Sequence, residues 1–135
     1  MANKNDLIRQ HKEIREMIDF LKNHLQESKV RSEASHLAQN VSFLAGKLRI
    51  HLIAEDDSLY PRLLEGNDVK AKEIAERFSQ EMGNLSQVFT AYKVKYNISS
   101  KILTNVDAYI SDTKVIVEAL ENRIGREDKE LYVLL

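Results

Sequence analysis

The sequence carries one chemistry-bearing stretch twice. Residues His51-Leu-Ile-Ala-Glu55-Asp-Asp-Ser-Leu59-Tyr60-Pro-Arg-Leu63 return at a constant offset as Arg123-Ile-Gly-Arg-Glu127-Asp-Lys-Glu-Leu131-Tyr132-Val-Leu-Leu135. In the first copy a histidine and a glutamate stand four residues apart, a spacing that stacks both on one face of an α-helix. In the second copy the glutamate stays and the histidine is an arginine. An imidazole and a carboxylate so placed make half of a metal site. A guanidinium and a carboxylate make an ion pair, so the second copy reads as a half-site in which a side-chain cation takes an ion's place.

Further candidates lie at the same expected depth. His11 falls inside the apolar stripe of the first segment, among Leu7, Ile14, Ile18, Leu21 and Leu25, whereas His24 and His36 sit on stripe flanks and read as solvated. Counting from the turns between antiparallel helices brings His11 level with His51, and Glu81 and Met82 to the same level. His11, His51, Glu55, Met82, Arg123 and Glu127 are thus expected to converge. An ionised carboxylate costs several kcal/mol to bury without a partner, so Glu55 and Glu127 must meet a cation, a proton or water.

The elements that position these residues follow from composition and periodicity. With 135 residues, 43% hydrophobic and 30% charged, the chain suits one domain of helices with one apolar face. Four glycines and one proline leave few turns. Four segments are predicted: about Asn5 to Glu27; about Ser32 to Leu64, with stripe Leu37, Val41, Leu44, Leu48, His51, Glu55 and Leu59; Asp68 to about Tyr96, with Ile74, Phe78, Met82, Leu85, Phe89 and Tyr92; and a last one after Asn97–Ser100, with Val106, Ile110, Val117, Leu120, Ile124, Glu127 and Leu131. Asn5, Ser32 and either Ser100 or Asn105 are the expected N-caps. Ser28–Ser32 reads as a polar linker, and Pro61 as a disturbance of the last turn of the second segment. The expected fold is all-α, an up-down-up-down four-helix bundle spanning residues 1–135. In it the two copies of the repeat run the same way, but Arg123 lies too far along its helix unless that helix starts late.

This pattern resembles the hemerythrin-like, or HHE cation-binding, domains, four-helix bundles that hold a non-haem di-iron centre. The resemblance rests on Leu7-Ile-Arg-Gln-His11-Lys-Glu-Ile14, His51-Leu-Ile-Ala-Glu55 before Leu59-Tyr60-Pro61, Gln80-Glu81-Met82, and Arg123-Ile-Gly-Arg-Glu127 before Leu131-Tyr132. Met82 and Arg123 stand where the resemblance expects two further histidines. Thioether is a poor ligand for a hard iron ion and guanidinium cannot ligate, so the di-iron site is incomplete. His11, His51, Glu55 and Glu127 remain. Either they hold a single non-haem iron, manganese or zinc ion, or there is no metal and Arg123 bridges Glu55 and Glu127 bidentately. Tyr60 and Tyr132 are expected to plug the bundle end with hydroxyls outward, and Asp56, Asp57 and Asp128 to form a solvated acidic surface.

By resemblance, intact relatives carry oxygen, sense oxygen, nitric oxide or iron, or help repair iron-sulfur clusters. The expectation for this chain is a non-catalytic sensory or cation-binding module, and the alternative a metal-free bundle acting through protein contacts. An enzyme is not expected, since no activated nucleophile, phosphate loop or second acid/base pair is visible. Net charge −1 with interleaved signs excludes an electrostatic nucleic-acid or membrane partner, while the apolar run Leu131–Leu135 suggests a homo-oligomer or an unknown protein partner. Absence of cysteine removes disulfides and thiolate ligands, and a polar N-terminus makes a cytoplasmic setting the expectation.

Overall fold

A computed structural model describes residues 3–135. Met1 and Ala2, part of the polar N-terminus, lie outside the described residues. The first long helix, α1 (Lys4–Lys22), starts before the expected cap. Asn3 accepts from the Asp6 amide and Asp6 accepts from the Asn3 amide, each at 3.0 Å. This reciprocal box satisfies two amides that helix geometry leaves free, so it displaces Asn5 as the cap.

The expected linker is helical: α2 (Glu27–Ser32) buries Val30, and α3 (Ala34–Ala54) follows after Glu33 without a side-chain cap. Ser32 instead bonds back to the Lys29 carbonyl at 3.2 Å. After α3 come a π-helical turn (Glu55–Leu59) and α4 (Tyr60–Glu65). Helix α5 (Val69–Tyr96) is capped by Asp68, which accepts from Lys70 and Ala71. The break at Asn97 leads into the short α6 (Ser99–Thr104), and Asn105 caps α7 (Val106–Arg126). Inserting α6 delays α7, which resolves the misfit of Arg123 with the depth of the first repeat. A second π-helical turn (Glu127–Leu131) and a 3₁₀ turn (Tyr132–Leu134) complete the described chain.

Side-chain contacts between α1 and α3 step in opposite directions: Met17 O to Asn40 at 3.1 Å, Glu13 to Lys47 at 3.0 Å, Gln10 to His51 at 2.7 Å. The same holds for α1 against the second repeat, through Lys22–Glu121 and Arg15–Asp128, and for α5 against α7, through Tyr92–Thr113 and Glu81–Arg126. The result is an all-α bundle whose stripe residues face inward. A long apolar cluster runs from Ile14, Leu48 and Ile124 to Tyr109, and a smaller one gathers Leu7, Leu59, Leu63, Phe78 and Leu131. The candidate residues fall between the two in sequence and depth.

Both π turns sit at the same place in the repeat. The Tyr60 amide donates to the Glu55 carbonyl and the Tyr132 amide to the Glu127 carbonyl, five residues back. Such a turn stacks residue i+5 over residue i. Glu55, Leu59 and Tyr60 are therefore all buried, as are Glu127, Leu131 and Tyr132. Pro61 enters at the first turn of α4, where its missing N–H costs little. Since the second copy makes the same turn with Val133 there, the proline is not its cause. Among the described residues no helix is long and apolar enough to cross a membrane.

Candidate metal centre

Helix α1 supplies His11, α3 His51, its π turn Glu55, and the second π turn Glu127. Their donor atoms all lie within 4.8 Å of one another. Exposure is 0% for His11 and Glu55, 2% for Glu127, 4% for His51 and 5% for Arg123, so the layer is effectively dry. His11 Nε2 stands 3.1 Å from His51 Nε2 and 2.7 Å from Glu127 Oε1, while His51 Nε2 is 3.3 Å from Glu55 Oε2.

Both rings are held from behind. His11 Nδ1 lies 2.8 Å from Asp128 Oδ1, and Arg15 steadies that carboxylate at 2.6 Å. His51 Nδ1 lies 2.7 Å from Gln10 Oε1. A carboxylate and an amide oxygen only accept, so each ring donates from Nδ1 and turns Nε2 inward, where it holds either a proton toward Glu127 or, when neutral, a lone pair for a metal ion. Sequence reasoning misses both anchors. Asp128 reads as solvated acid and is one-third exposed, yet one oxygen reaches inward to His11. Gln10 carries no signal beyond its place before His11.

Arg123 is buried beside the cluster but does not bridge the glutamates as expected. Its Nε donates to Glu127 Oε2 at 2.8 Å, its Nη2 to the Tyr60 hydroxyl at 3.1 Å, and its guanidinium carbon sits 4.7 Å from the Phe78 ring centroid. Its Nη1 lies 3.7 Å from Glu81 Oε2. Glu55 is served by the other tyrosine: the Tyr132 hydroxyl donates to its Oε2 at 2.8 Å. Both tyrosine hydroxyls point inward, contrary to the expectation that they face water, because the π turns rotate Tyr60 and Tyr132 over Glu55 and Glu127. Met82 is buried in the same region, beside Leu52 and Tyr60, and contributes packing.

The electrostatics divide the two glutamates. Burial works against ionised Glu127, but hydrogen bonds from His11 and His51 and the Arg123 charge hold its carboxyl well below the usual range. Burial and the Glu127 charge push Glu55 upward. Burial also opposes an imidazolium at His51, yet hydrogen bonds and charge from Glu127 and Glu55 outweigh it and raise its pKa to about 9. Burial and both glutamates push the Tyr132 phenol far up.

These residues fit one metal ion and not two. Two inward imidazole nitrogens and two carboxylates suit iron, manganese or zinc. Glu55 Oε1 is buried with no hydrogen-bond partner, an acceptor of the kind a cation would satisfy. At the second half, Met82 and Arg123 offer no ligand suited to such an ion.

The expected docking run is largely consumed by the fold. Leu131 and Tyr132 are buried, Leu134 and Leu135 pack partly against the smaller cluster, and Val133 remains exposed.

Among families of known proteins, the model described as "Hemerythrin HHE cation binding domain" matches residues 4–135. No curated protein and no solved structure matches the chain. With the match spanning the whole bundle and the His/Glu cluster at its centre, the chain belongs to the hemerythrin HHE cation-binding domain family.

Proposed function

We propose that this domain is a single-ion binding or sensory module in which His11, His51, Glu55 and Glu127 hold one divalent ion, with iron as the first choice, while Arg123 takes the place of a second. The observation that carries this reading is the pair of anchored imidazoles: with Nδ1 committed to Asp128 and Gln10, the two Nε2 atoms face each other at 3.1 Å. Two nitrogens this close need a proton or a metal ion to hold them together. When bound, the ion would supply Lewis acidity and, for iron or manganese, redox capacity. The chain's own residues bind it, fix its ligands and keep water out. Chemistry that needs two ions has no place in the second half, and the role assigned here is binding or sensing in a cytoplasmic setting.

The test is metal content of protein purified without chelator, paired with its unfolding in the presence of EDTA. A bound ion held at a hundredfold over its Kd stabilises the folded state by about 2.7 kcal/mol. About one equivalent of metal and a chelator-sensitive transition support the proposal. Metal-free protein that takes up no added ion and unfolds identically with EDTA refutes it.

A second reading is favoured by the Arg123–Glu127 contact at 2.8 Å, with a protonated His51 as the other cation. Together they balance both carboxylates without any ion, and the domain would then act through its surface, on a second copy or another protein. Self-association that persists in EDTA, with no metal bound, is its signature.

A further inference from the structure

The tyrosine of the second repeat does more than line the site. Its hydroxyl oxygen lies 2.8 Å from Glu55 Oε2, 3.0 Å from His11 Nε2, 3.2 Å from His51 Nε2 and 3.4 Å from Glu127 Oε1. It thus stands at similar distance from all four candidate ligand atoms. Donors that share one ion at usual metal–ligand lengths of about 2.0–2.2 Å stand about 3 Å apart. The Tyr132 oxygen meets that spacing to every other donor. The residue is 2% exposed and its ring stacks on His11 at 4.8 Å and 16°, so the oxygen is fixed where it is.

We propose that Tyr132 is a fifth ligand, binding the ion through its phenolate oxygen. This rests on the single-ion reading above. Coordination exchanges the phenol O–H bond for an oxygen–metal bond and releases one proton to solvent, with no change in oxidation state.

Two independent observations support it. The first is the repeat. The hydroxyl oxygen of Tyr60 faces the cation of the opposite copy, accepting from Arg123 Nη2 at 3.1 Å. Tyr132 is its counterpart and reaches across to His51 and Glu55, the opposite copy's ligands, so each tyrosine oxygen is directed at the cation of the other half. The second is charge. Two carboxylates and one guanidinium leave a single negative charge, and a divalent ion would turn that into a net positive charge in a buried layer. A phenolate restores neutrality, which a dry site favours. The guanidinium in place of a second ion thus creates the need that Tyr132 meets. A donor set of two imidazoles and three anionic oxygens suits a hard ion such as iron better than a soft one.

Chelator-stripped protein titrated with zinc chloride, followed by ultraviolet difference absorption, tests this. The expected result is one tyrosinate formed per zinc bound, abolished in Tyr132→Phe, whose zinc affinity falls about tenfold or more. Should Tyr132→Phe fail to fold, wild-type protein loaded with ferric citrate provides the second measurement: a visible phenolate-to-iron charge-transfer band whose resonance Raman modes shift on incorporation of ring-deuterated tyrosine. Zinc or iron bound without either tyrosinate signature overturns the fifth ligand and leaves the four-residue site standing. No binding of either metal overturns both.

Discussion

Arg123 Nε lies 2.8 Å from Glu127 Oε2, one turn apart at the end of α7, and both side chains are buried. Glu127 gives its other oxygen to His11 at 2.7 Å, so a single carboxylate is shared between a guanidinium and the candidate ion site. This sharing makes the two halves of the repeat dependent on each other.

Removing the guanidinium should cost more than a surface pair would. In Arg123→Met the Glu127 oxygen is left buried and unpaired, and breaking one side of such a pair costs about 3–5 kcal/mol. Denaturant unfolding in EDTA should show that loss. Excess zinc should restore more stability to the variant than it adds to wild type, because the site has become more negative.

The second half should regain an ion when its ligands are supplied. Met82→His with Arg123→His places imidazoles at the two departures from the family pattern. Elemental analysis should rise from about one to about two metal ions per chain. A double variant that still binds one ion would show that the second half is closed by more than those two side chains.

The anchors behind the imidazoles should tune affinity without touching the ion. Asp128→Asn weakens the grip on His11 Nδ1 and should lower metal affinity by about 10–100-fold. Asp57→Asn, in the matching acidic run of the first copy but exposed, should leave affinity unchanged. Competition with a chelator of known affinity distinguishes them.

The metal-free protein should lose stability as pH rises. The His51 pKa is about 9 in the folded protein against an ordinary value of 6.5, so its folded state binds the proton more tightly. That contribution is fully present below about pH 6.5 and is lost as pH climbs through 9. With EDTA present, the denaturation midpoint should fall across this window in wild type and much less in His51→Gln. Saturating zinc should remove the fall, since the ion takes the proton's place.

Much of this arrangement is legible in the residues. The stripe from Leu37 through Leu59 places His51 and Glu55 inward, and all its members are buried. His11 is identified by lying inside a stripe, His36 by lying outside one. Periodicity does not reveal the π turns. One extra residue in a turn leaves Glu55 and Leu59 where an α-helix would put them and displaces only the positions beyond. Tyr60 and Tyr132 occupy those positions, so a regular helical count turns their hydroxyls to water while the π turns direct them inward. Arg123 falls between the faces of an ideal wheel, yet the pull of Glu127 and the Phe78 ring draws it inside. Asp128 and Gln10 act through single side-chain contacts to a neighbouring helix, which no pattern along one helix encodes.

The most direct measurement is the metal content of freshly purified protein, by elemental analysis against protein concentration. Wild type should carry about one ion per chain, removed by EDTA and recovered on adding iron or zinc. Two ions per chain would contradict the assignment of Arg123 as the second cation, and a chain that neither carries nor takes up any ion would contradict the metal site itself.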